Sequence, residues 1–253
     1  MSPEKLALVI PTLGEARCLS PLLDEVREML CGLGIRFEII VVDDDSGDGT
    51  EDLVAAIGAE DPRVRLLVRH GQRGLAGAIL HGWQHTDATL LGVMDGDLQH
   101  PPRLLGPLLA AMTNGCDLAI ASRYAGQPGM SGCHIVRRWF SALAIWLTQP
   151  LQRASSQAHG ANRVSDPLSG YFIVRRRCIQ SIAFQTAGFK LLLEILIRGR
   201  IGGAVEVPFT MGPRAAGRSK AGLKVACDYL QLLARLYRTR WRELRLPAGI
   251  PTD

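Results

Sequence analysis

The stretch Phe37-Glu38-Ile39-Ile40-Val41-Val42-Asp43-Asp44-Asp45-Ser46 joins a nearly continuous apolar run to a dense acidic turn. Such a run is typical of a parallel strand buried on both faces. Similar runs lie at Ala7–Ile10, Val64–Arg69, Leu90–Met94 and Leu118–Ala121, with helical periodicity between them at Ser20–Leu33, Glu51–Ile57, Leu75–Trp83 and Pro102–Met112. This alternation predicts an α/β fold with a mostly parallel sheet flanked by helices.

The bulk composition is that of a globular protein. The chain has 253 residues, 47% of them hydrophobic, and a formal net charge of +5. An excess of positive charge favours an anionic partner, whether a nucleotide, a phospholipid surface or a nucleic acid, but does not choose among them. The six scattered cysteines form no zinc motif and favour a reducing compartment. The apolar runs are too short for a signal peptide or a membrane span, so we expect neither.

The carboxyl ends of the predicted strands carry the residues of chemical interest. In open α/β sheets, ligands bind beyond these ends. Here the strands end in Pro11–Glu15, Asp43–Thr50, Asp95–Asp97 and Ser122–Tyr124. Acidic residues and turn formers therefore collect along one edge of the sheet, where we expect a ligand site.

Asp95-Gly96-Asp97 is the most suggestive of these strand ends. Two carboxylates at this spacing can hold a hard divalent cation whose other positions are filled by water and diphosphate oxygens. Gln99 could add a neutral oxygen ligand, and His100 adjoins the pair. A bound cation would neutralise the charge of a departing nucleoside diphosphate. A solvated turn is the alternative interpretation.

The other strand ends also allow two interpretations each. Asp43 or Asp44 could accept hydrogen bonds from a nucleotide, or the acidic run could simply form a turn before a helix. The small residues of Gly74–Ala78 allow either close approach to a ligand or tight packing on the sheet. Cations that could bind phosphate are Arg123, Lys190, Arg214, Arg218 and Lys220. The sequence contains no nucleophile-base motif that we recognise.

The second half of the chain contains two amphipathic patterns. His134–Leu151 and Ala221–Trp241 each combine apolar residues at helical spacing with arginines. Both are predicted to be helices, which either pack on the sheet or lie in a membrane interface.

Taken together, the motifs resemble those of a known family. The dolichol- and polyprenol-phosphate mannose synthases, which are family 2 glycosyltransferases of the GT-A fold, are similar to this chain over roughly residues 6–222. The matching segments are Ile10-Pro11-Thr12, Glu15, Val41-Val42-Asp43-Asp44-Asp45-Ser46, Gly74-Leu75-Ala76-Gly77-Ala78, Asp95-Gly96-Asp97-Leu98-Gln99-His100-Pro101-Pro102, Ser122-Arg123-Tyr124, Asp166-Pro167-Leu168-Ser169-Gly170-Tyr171-Phe172, Gly188-Phe189-Lys190, Leu193-Glu194-Ile195-Leu196, and Arg214 with Gly217, Ser219 and Lys220.

The resemblance implies a fold and an activity. The fold would be GT-A, a Rossmann-like mixed and mostly parallel sheet with C-terminal amphipathic helices. Residues 1–222 would be the catalytic domain, including an interfacial helix at about 134–151, and residues 223–253 a basic helix and tail. The activity would be inverting transfer of mannose from GDP-mannose to a polyprenyl (dolichyl-type) phosphate with Mg²⁺ or Mn²⁺. Such a phosphate is already largely dianionic at neutral pH, so no general base is needed.

The resemblance also implies roles for individual residues. The catalytic residues would be Asp97, Arg123 and Lys190. The nucleotide pocket would be lined by Pro11, Glu15, Val42 and Asp44; the cation and diphosphate would be held at Asp95, Gly96, Asp97 and Gln99; the donor or acceptor phosphates would contact Arg123, Lys190, Arg214 and Lys220; and Ser169 would lie near the acceptor.

One departure from the family pattern concerns the nucleotide. Relatives usually read Pro-Thr-Tyr-Asn-Glu at the first strand end, whereas this chain has Leu13 and Gly14 in place of the aromatic residue and the amide. A polyprenyl-phosphate glucosyl- or aminoarabinosyltransferase that uses a UDP-sugar is therefore an alternative. An inactive nucleotide- or lipid-binding relative is a lesser one.

The expected partners follow from the lipid acceptor. They are the nucleotide sugar, the polyprenyl phosphate and a membrane surface on the cytoplasmic side, contacted peripherally through the amphipathic helices or through a small membrane protein. No nucleic acid is expected, since the sequence has no recognised nucleic-acid-binding motif.

Overall fold

The computed structural model describes residues 4–125, 144–153, 155, 163–184, 190–212 and 223–245, with side chains of the last range described for residues 227–239. Several predictions fall outside these ranges. They concern Arg214, Arg218, Lys220 and the first ten residues of the helix predicted at 134–151.

Within the described ranges, seven strands form one mixed sheet. They are β1 (Lys5–Thr12), β2 (Arg36–Asp43), β3 (Val64–Val68), β4 (Leu90–Val93), β5 (Leu118–Ser122), β6 (Phe172–Arg175) and β7 (Ala204–Pro208). Their order in the sheet is β3-β2-β1-β4-β6-β5-β7. All neighbouring pairs are parallel except those of β6, which runs antiparallel to both β4 and β5.

Helices cover both faces of this sheet. They are α1 (Ala16–Gly32), α2 (Thr50–Glu60), α3 (Leu75–Gln84), α4 (Leu105–Thr113), α5 (144–153), α6 (Leu191–Arg198) and α7 (Leu223–Arg245). The five predicted strands and the first four predicted helices are confirmed, with small shifts of their ends. The sequence analysis did not predict β6 or β7, because each is short and follows no long alternating pattern.

The alternation of side chains along each strand explains the continuous apolar runs. Leu8 and Ile39 face a core layer shared with α1 and α4, whereas Val9 and Ile40 face a second layer shared with α3 and α6. Successive side chains of a strand point to opposite faces, so a strand covered on both sides must be apolar at every position. The predicted mostly parallel α/β sheet is thereby confirmed.

The antiparallel direction of β6 positions the functional site. Phe172, the first residue of β6, is paired with Val93 near the end of β4 and with Ile120 of β5. Because β6 runs against its neighbours, the chain segment that precedes it lies at the edge where β4 and β5 end. Residues 163–171 therefore lie beside the predicted ligand site.

The helix α7 packs on α5 and α6. Leu232, Leu233 and Leu236 join a third apolar cluster with Leu151 and Leu193. The predicted C-terminal helix is confirmed, while the domain boundary at 222/223 stays a prediction.

The helices α5 and α7 leave apolar side chains exposed. The Tyr229 hydroxyl donates a hydrogen bond to the Ala144 carbonyl (2.5 Å), which ties the two helices together. Trp146 is 63% exposed and Leu230 56% exposed. Among the described residues, no helix is long and apolar enough to cross a membrane.

Candidate active site

The loops after β1 and β2 are joined by hydrogen bonds. The Gly14 amide donates to Ser46 Oγ (2.9 Å), and the Ala16 amide donates to Asp48 Oδ2 (3.0 Å). Gly14 has a φ of +80°, a left-handed conformation that glycine adopts freely and asparagine also tolerates. The replacement of asparagine by Gly14 is therefore compatible with the turn, although it removes the amide side chain.

Asp43 organises the second of these loops. Its carboxylate is fully buried and accepts hydrogen bonds from Thr12 Oγ1 (2.9 Å), the Ser46 amide (2.8 Å) and Ser46 Oγ (2.5 Å). These bonds satisfy a carboxylate whose burial would otherwise be strongly unfavourable. Of the two aspartates weighed from the sequence, Asp43 has this structural role.

Asp44 faces a different set of donors. Its Oδ2 accepts from the Gly74 amide (2.7 Å), and its Oδ1 lies 3.0 Å from Nε of Arg69. Both side chains of this ion pair are only 5% exposed. Asp44 thus connects the end of β2 with the loop that begins α3.

The turn after β4 is strained at its centre. Leu98 has a φ of +62°, which is unusual for a large side chain and costs about 1–3 kcal/mol. The turn lets the Gln99 amide donate to Asp97 Oδ1 (3.1 Å) and the Asp95 amide donate to His100 Nδ1 (3.3 Å). The strain therefore occurs where the two carboxylates are positioned.

His100 supports this turn from inside the protein. Its ring is 2% exposed and packs against Tyr171 (centroids 5.2 Å apart) and Phe209 (5.8 Å). Burial lowers the pKa of His100. A neutral ring fits the observed contact, since Nδ1 must be unprotonated to accept from the Asp95 amide.

The surroundings of Asp95 and Asp97 fit a divalent cation with a bound diphosphate. A Cβ on Gly96 would lie 3.1 Å from Glu15 Oε2, and a Cβ on Gly170 would lie 2.9 Å from Asp95 Oδ2. Gly170 thus leaves room beside Asp95, and Gly96 leaves room beside the Glu15 carboxylate.

The number of protein ligands also fits such a cation. Among the described residues, no group of three or more His, Cys, Asp and Glu side chains is arranged to hold a metal ion. Two carboxylates are nevertheless sufficient for Mg²⁺, which commonly takes its remaining ligands from water and substrate phosphates.

Arg123 is held in place by a buried acid. Asp166 is fully buried and accepts from the Arg123 amide (3.1 Å), Nε (2.8 Å) and Nη2 (2.8 Å). Burial lowers the pKa of Arg123, but the bonds to Asp166 outweigh this effect and raise it. Glu206 of β7 in turn accepts from the amides of Ser165 (2.8 Å) and Asp166 (3.0 Å). The guanidinium is therefore a permanent, oriented cation.

Lys190 approaches the same place from the start of α6. Its Nζ donates to the Leu168 carbonyl (3.3 Å). Burial and the nearby Arg123 lower the pKa of Lys190 to about 8. Lys190 and Arg123 line one cavity of about 100 Å³ together with Asp95. The rest of the lining is largely apolar and includes Leu75, Ile79, Leu191 and Leu192.

Comparison with known proteins identifies the family. The family model described as glycosyl transferase family 2 matches residues 7–192. The chain belongs to this family. The predicted glycosyltransferase class is thereby confirmed.

Relatives with established names are similar along most of this glycosyltransferase. A dolichol-phosphate mannosyltransferase of Pyrococcus furiosus is 36% identical over 92% of this chain, which spans 63% of that protein's length. Proteins of the same name from Mycosarcoma maydis and Saccharomyces cerevisiae are each 32% identical, over 95% and 91% of this chain and 81% and 86% of their own lengths. The predicted resemblance to these synthases is confirmed.

Solved structures support the fold. Mannosyl-3-phosphoglycerate synthase from Rubrobacter xylanophilus superposes with a TM-score of 0.71 at 21% identity, covering 98% of this chain and 79% of that one. Glucosyl-3-phosphoglycerate synthase from Mycobacterium tuberculosis, solved with Mn²⁺, UDP and glucosyl-3-phosphoglycerate, gives 0.64 at 19% identity, covering 99% and 82%. The predicted GT-A fold of this glycosyltransferase is confirmed.

The structure brings most of the predicted site residues to one edge of the sheet. Pro11 and Val42 are register partners near the ends of β1 and β2. Gln99 donates from Nε2 to the Gly212 carbonyl (3.1 Å), so the last described residue before Arg214 lies at the carboxylate turn. Arg214 and Lys220 themselves lie outside the described residues. The individual roles of all these residues stay predictions.

Ser169 occupies a less accessible position than its predicted role suggests. Its hydroxyl donates to the Ala121 carbonyl (2.7 Å) and accepts from the Tyr171 amide (3.2 Å). It still lines the cavity described above. A contact with the acceptor stays a prediction, alongside an evident role in shaping the loop before β6.

Three polar residues of the site were assigned no role from the sequence. Asp166 and Glu206 orient Arg123, and Arg69 pairs with Asp44. Asp166 belongs to the family motif that spans Asp166–Phe172, and Arg69 is a cation at the end of an apolar strand. Both patterns can be recognised in the sequence. Glu206 lies on a short strand whose position the sequence does not reveal.

Proposed function

We propose that this glycosyltransferase transfers mannose from GDP-mannose to a polyprenyl phosphate. The names of its relatives support the sugar and the class of acceptor. Inversion at the anomeric carbon and the use of Mg²⁺ or Mn²⁺ belong to the same proposal. The Mn²⁺ complex of the glucosyl-3-phosphoglycerate synthase from Mycobacterium tuberculosis shows that a protein of this fold binds this cation together with UDP.

The cavity shared by Arg123, Lys190 and Asp95 carries the proposal. It combines two cations with a largely apolar wall, a composition that suits a phosphate attached to a hydrocarbon. In the proposed reaction, Arg123 and Lys190 bind and orient phosphate oxygens. Since a phosphate monoester is already largely ionised near neutral pH, the chain needs to position the nucleophile rather than deprotonate it.

The donor would lie across the ends of β1, β2 and β4. Glu15 and Asp44 would contact the nucleoside, and Asp95 and Asp97 would hold the cation, with Gln99 as a further oxygen ligand. When bound, the cation neutralises charge that develops on the departing diphosphate. The residues of the chain supply the orientation of donor and acceptor.

A lipid acceptor requires contact with a membrane. Trp146 and Leu230 are exposed on helices that pack against each other, and Arg238 lies on the same helix as Leu230. Aromatic, aliphatic and basic side chains of this kind favour a membrane interface. We propose a peripheral position on the cytoplasmic face, reached through these helices or through a small membrane protein.

The direct test is a transfer assay with two donors. The purified chain is incubated with MnCl₂, a short polyprenyl phosphate and either radiolabelled GDP-mannose or radiolabelled UDP-glucose, and label is counted in the lipid phase. We expect label from GDP-mannose, and loss of nearly all of it in Asp97→Ala. Label from UDP-glucose alone would overturn the mannose assignment, and wild-type transfer by Asp97→Ala would overturn the cation site.

A further inference from the structure

Arg69 is a buried cation that no step of the proposed reaction uses. It follows β3 directly and its side chain is 5% exposed. Its Nε lies 3.0 Å from Asp44 Oδ1, and the Asp44 side chain is equally buried. Two charges removed from water in this way stabilise each other only in a close arrangement, and removal of one leaves the other uncompensated.

The helix α3 is built around this arginine. A Cβ on Gly77 would lie 2.5 Å from Arg69 Nη1 and 3.2 Å from Nη2, much closer than such atoms approach. Gly77 has no positive φ, so its backbone conformation would accept another residue, and a side chain here would have to displace the Arg69 guanidinium. From the sequence, the small residues of Gly74–Ala78 allowed either close approach to a ligand or tight packing on the sheet. At Gly77 the structure shows tight packing, and the partner is the Arg69 side chain.

The start of α3 is also attached to Asp44 itself. The Gly74 amide donates to Asp44 Oδ2 (2.7 Å). Asp44 therefore joins two elements, Arg69 after β3 and Gly74 at the start of α3. These contacts together set where α3 begins relative to the end of β2.

The position of α3 matters for the site, because Leu75 and Ile79 of this helix line the same cavity as Asp95 and Lys190. A displacement of Arg69 would therefore move two parts of the proposed site together, the Asp44 carboxylate on the donor side and one wall of the cavity proposed for the acceptor. We propose that Arg69 is a positioning residue for the nucleotide-sugar donor, acting through Asp44 and the first turns of α3. The nature of the donor rests on the proposed function.

A purely structural ion pair would behave differently. Its loss would lower the free energy of unfolding but leave the affinity for nucleotide unchanged in the fraction that remains folded. The two possibilities are separated by a pair of glycine variants in neighbouring helices. Gly77→Ala displaces the Arg69 guanidinium, whereas Gly58→Ala, whose Cβ would lie 2.9 Å from the Val64 carbonyl oxygen, overpacks α2 against the start of β3 without touching Arg69 or a predicted nucleotide-pocket residue.

The measurement is isothermal titration calorimetry of the folded 253-residue chain with GDP in the presence of MgCl₂, repeated with UDP. We expect Gly77→Ala to weaken binding of the preferred nucleotide about tenfold or more, and Gly58→Ala, a packing defect away from the proposed site, to change it by less than about twofold. Equal binding by Gly77→Ala and the wild type would overturn the inference. So would equal weakening in both variants.

A stability cycle tests the contact itself. In the Asp44→Asn/Arg69→Met background both buried charges and the guanidinium are gone, and the chain keeps an acceptor for the Gly74 amide. Gly77→Ala should lower Tm in the wild type and leave Tm nearly unchanged in this background. An identical drop in both would show that Gly77 does not pack on Arg69 and would overturn the inference.

The failure of the proposed function gives a different result. If the wild type binds UDP and not GDP, the mannose assignment fails while the Gly77→Ala comparison is still read with UDP. If the wild type binds neither nucleotide, the donor proposal and the role of Arg69 both fail. If nucleotide affinity falls only in Gly77→Ala, the inference is supported whichever nucleotide the wild type prefers.

Discussion

Lys190 provides a pH-dependent test of the phosphate site. Burial and the neighbouring Arg123 lower its pKa to about 8, from an ordinary value of 10.5. The cationic fraction of Lys190 in the free enzyme then falls from about nine tenths at pH 7 to about one tenth at pH 9. If this cation binds phosphate, kcat/KM should fall about tenfold over that interval.

The assay measures kcat/KM for donor and acceptor separately between pH 6.5 and pH 9.5, with MgCl₂ as the cation. The phosphate acceptor, whose second pKa is about 6, becomes only slightly more ionised over this range, and this change would raise kcat/KM with pH and not lower it. We expect kcat/KM to decline with increasing pH for the substrate whose phosphate contacts Lys190. In Lys190→Arg, the guanidinium stays charged, so the decline should disappear even if the plateau is lower.

Two results would refute this reasoning. One is a profile of the wild type that stays flat to pH 9.5 for both substrates. The other is a decline with an unchanged midpoint in Lys190→Arg, which would assign the titration to another group.

The lowered pKa of Lys190 also makes the free energy of unfolding depend on pH. The folded pKa of Lys190 lies below its unfolded value, so between about pH 8 and pH 10.5 the unfolded chain binds more protons and stability rises with pH. Below pH 8 Lys190 is charged in the folded chain, and the burial of this charge then lowers the free energy of unfolding by its full amount. Lys190→Met should therefore raise the free energy of unfolding at pH 7, by up to about 3 kcal/mol, while it abolishes transfer. Urea denaturation followed by circular dichroism measures this change.

Three further substitutions test individual contacts. Gly170→Ala adds a Cβ 2.9 Å from Asp95 Oδ2, so we expect the Mn²⁺ concentration for half-maximal activity to rise about tenfold, with little change in Tm. An unchanged Mn²⁺ titration would contradict the cation site. Tyr171→Phe removes a buried hydroxyl that has no hydrogen-bond partner among the described residues, and should raise the free energy of unfolding in urea by about 1 kcal/mol; a decrease would indicate a hidden partner. Asp166→Asn replaces the charged, two-oxygen partner of Arg123 and should lower kcat/KM for the acceptor about tenfold or more, whereas wild-type kinetics would show that Arg123 needs no orientation.

Local patterns were sufficient to predict the first half of the fold. The apolar runs of β1, β2 and β4 are recognisable because a strand buried on both faces must be apolar at each position. The short strand β6 has no such signal. Its antiparallel direction depends on which neighbours it pairs with, and this is decided by the packing of the whole sheet.

The same division holds for the site. Asp95 and Asp97 follow a recognisable strand, and general rules for α/β sheets place such residues at the ligand edge. Arg69 was assigned only to the end of a strand, because its partner Asp44 and its neighbour Gly77 lie on other elements. Contacts of this kind depend on how three elements pack, which no single window of sequence contains.

The sequence alone thus determined the α/β class, the sheet edge proposed as the ligand site and the family to which the chain belongs, because each of these follows from local periodicity or from short motifs in a recognisable order. Only the tertiary structure decided which side chains meet there. It inserts β6 antiparallel between β4 and β5, and this brings Gly170 against Asp95 and Asp166 against Arg123. These pairs join residues far apart in the chain, and their geometry follows from strand pairing and from the packing of helices on the sheet.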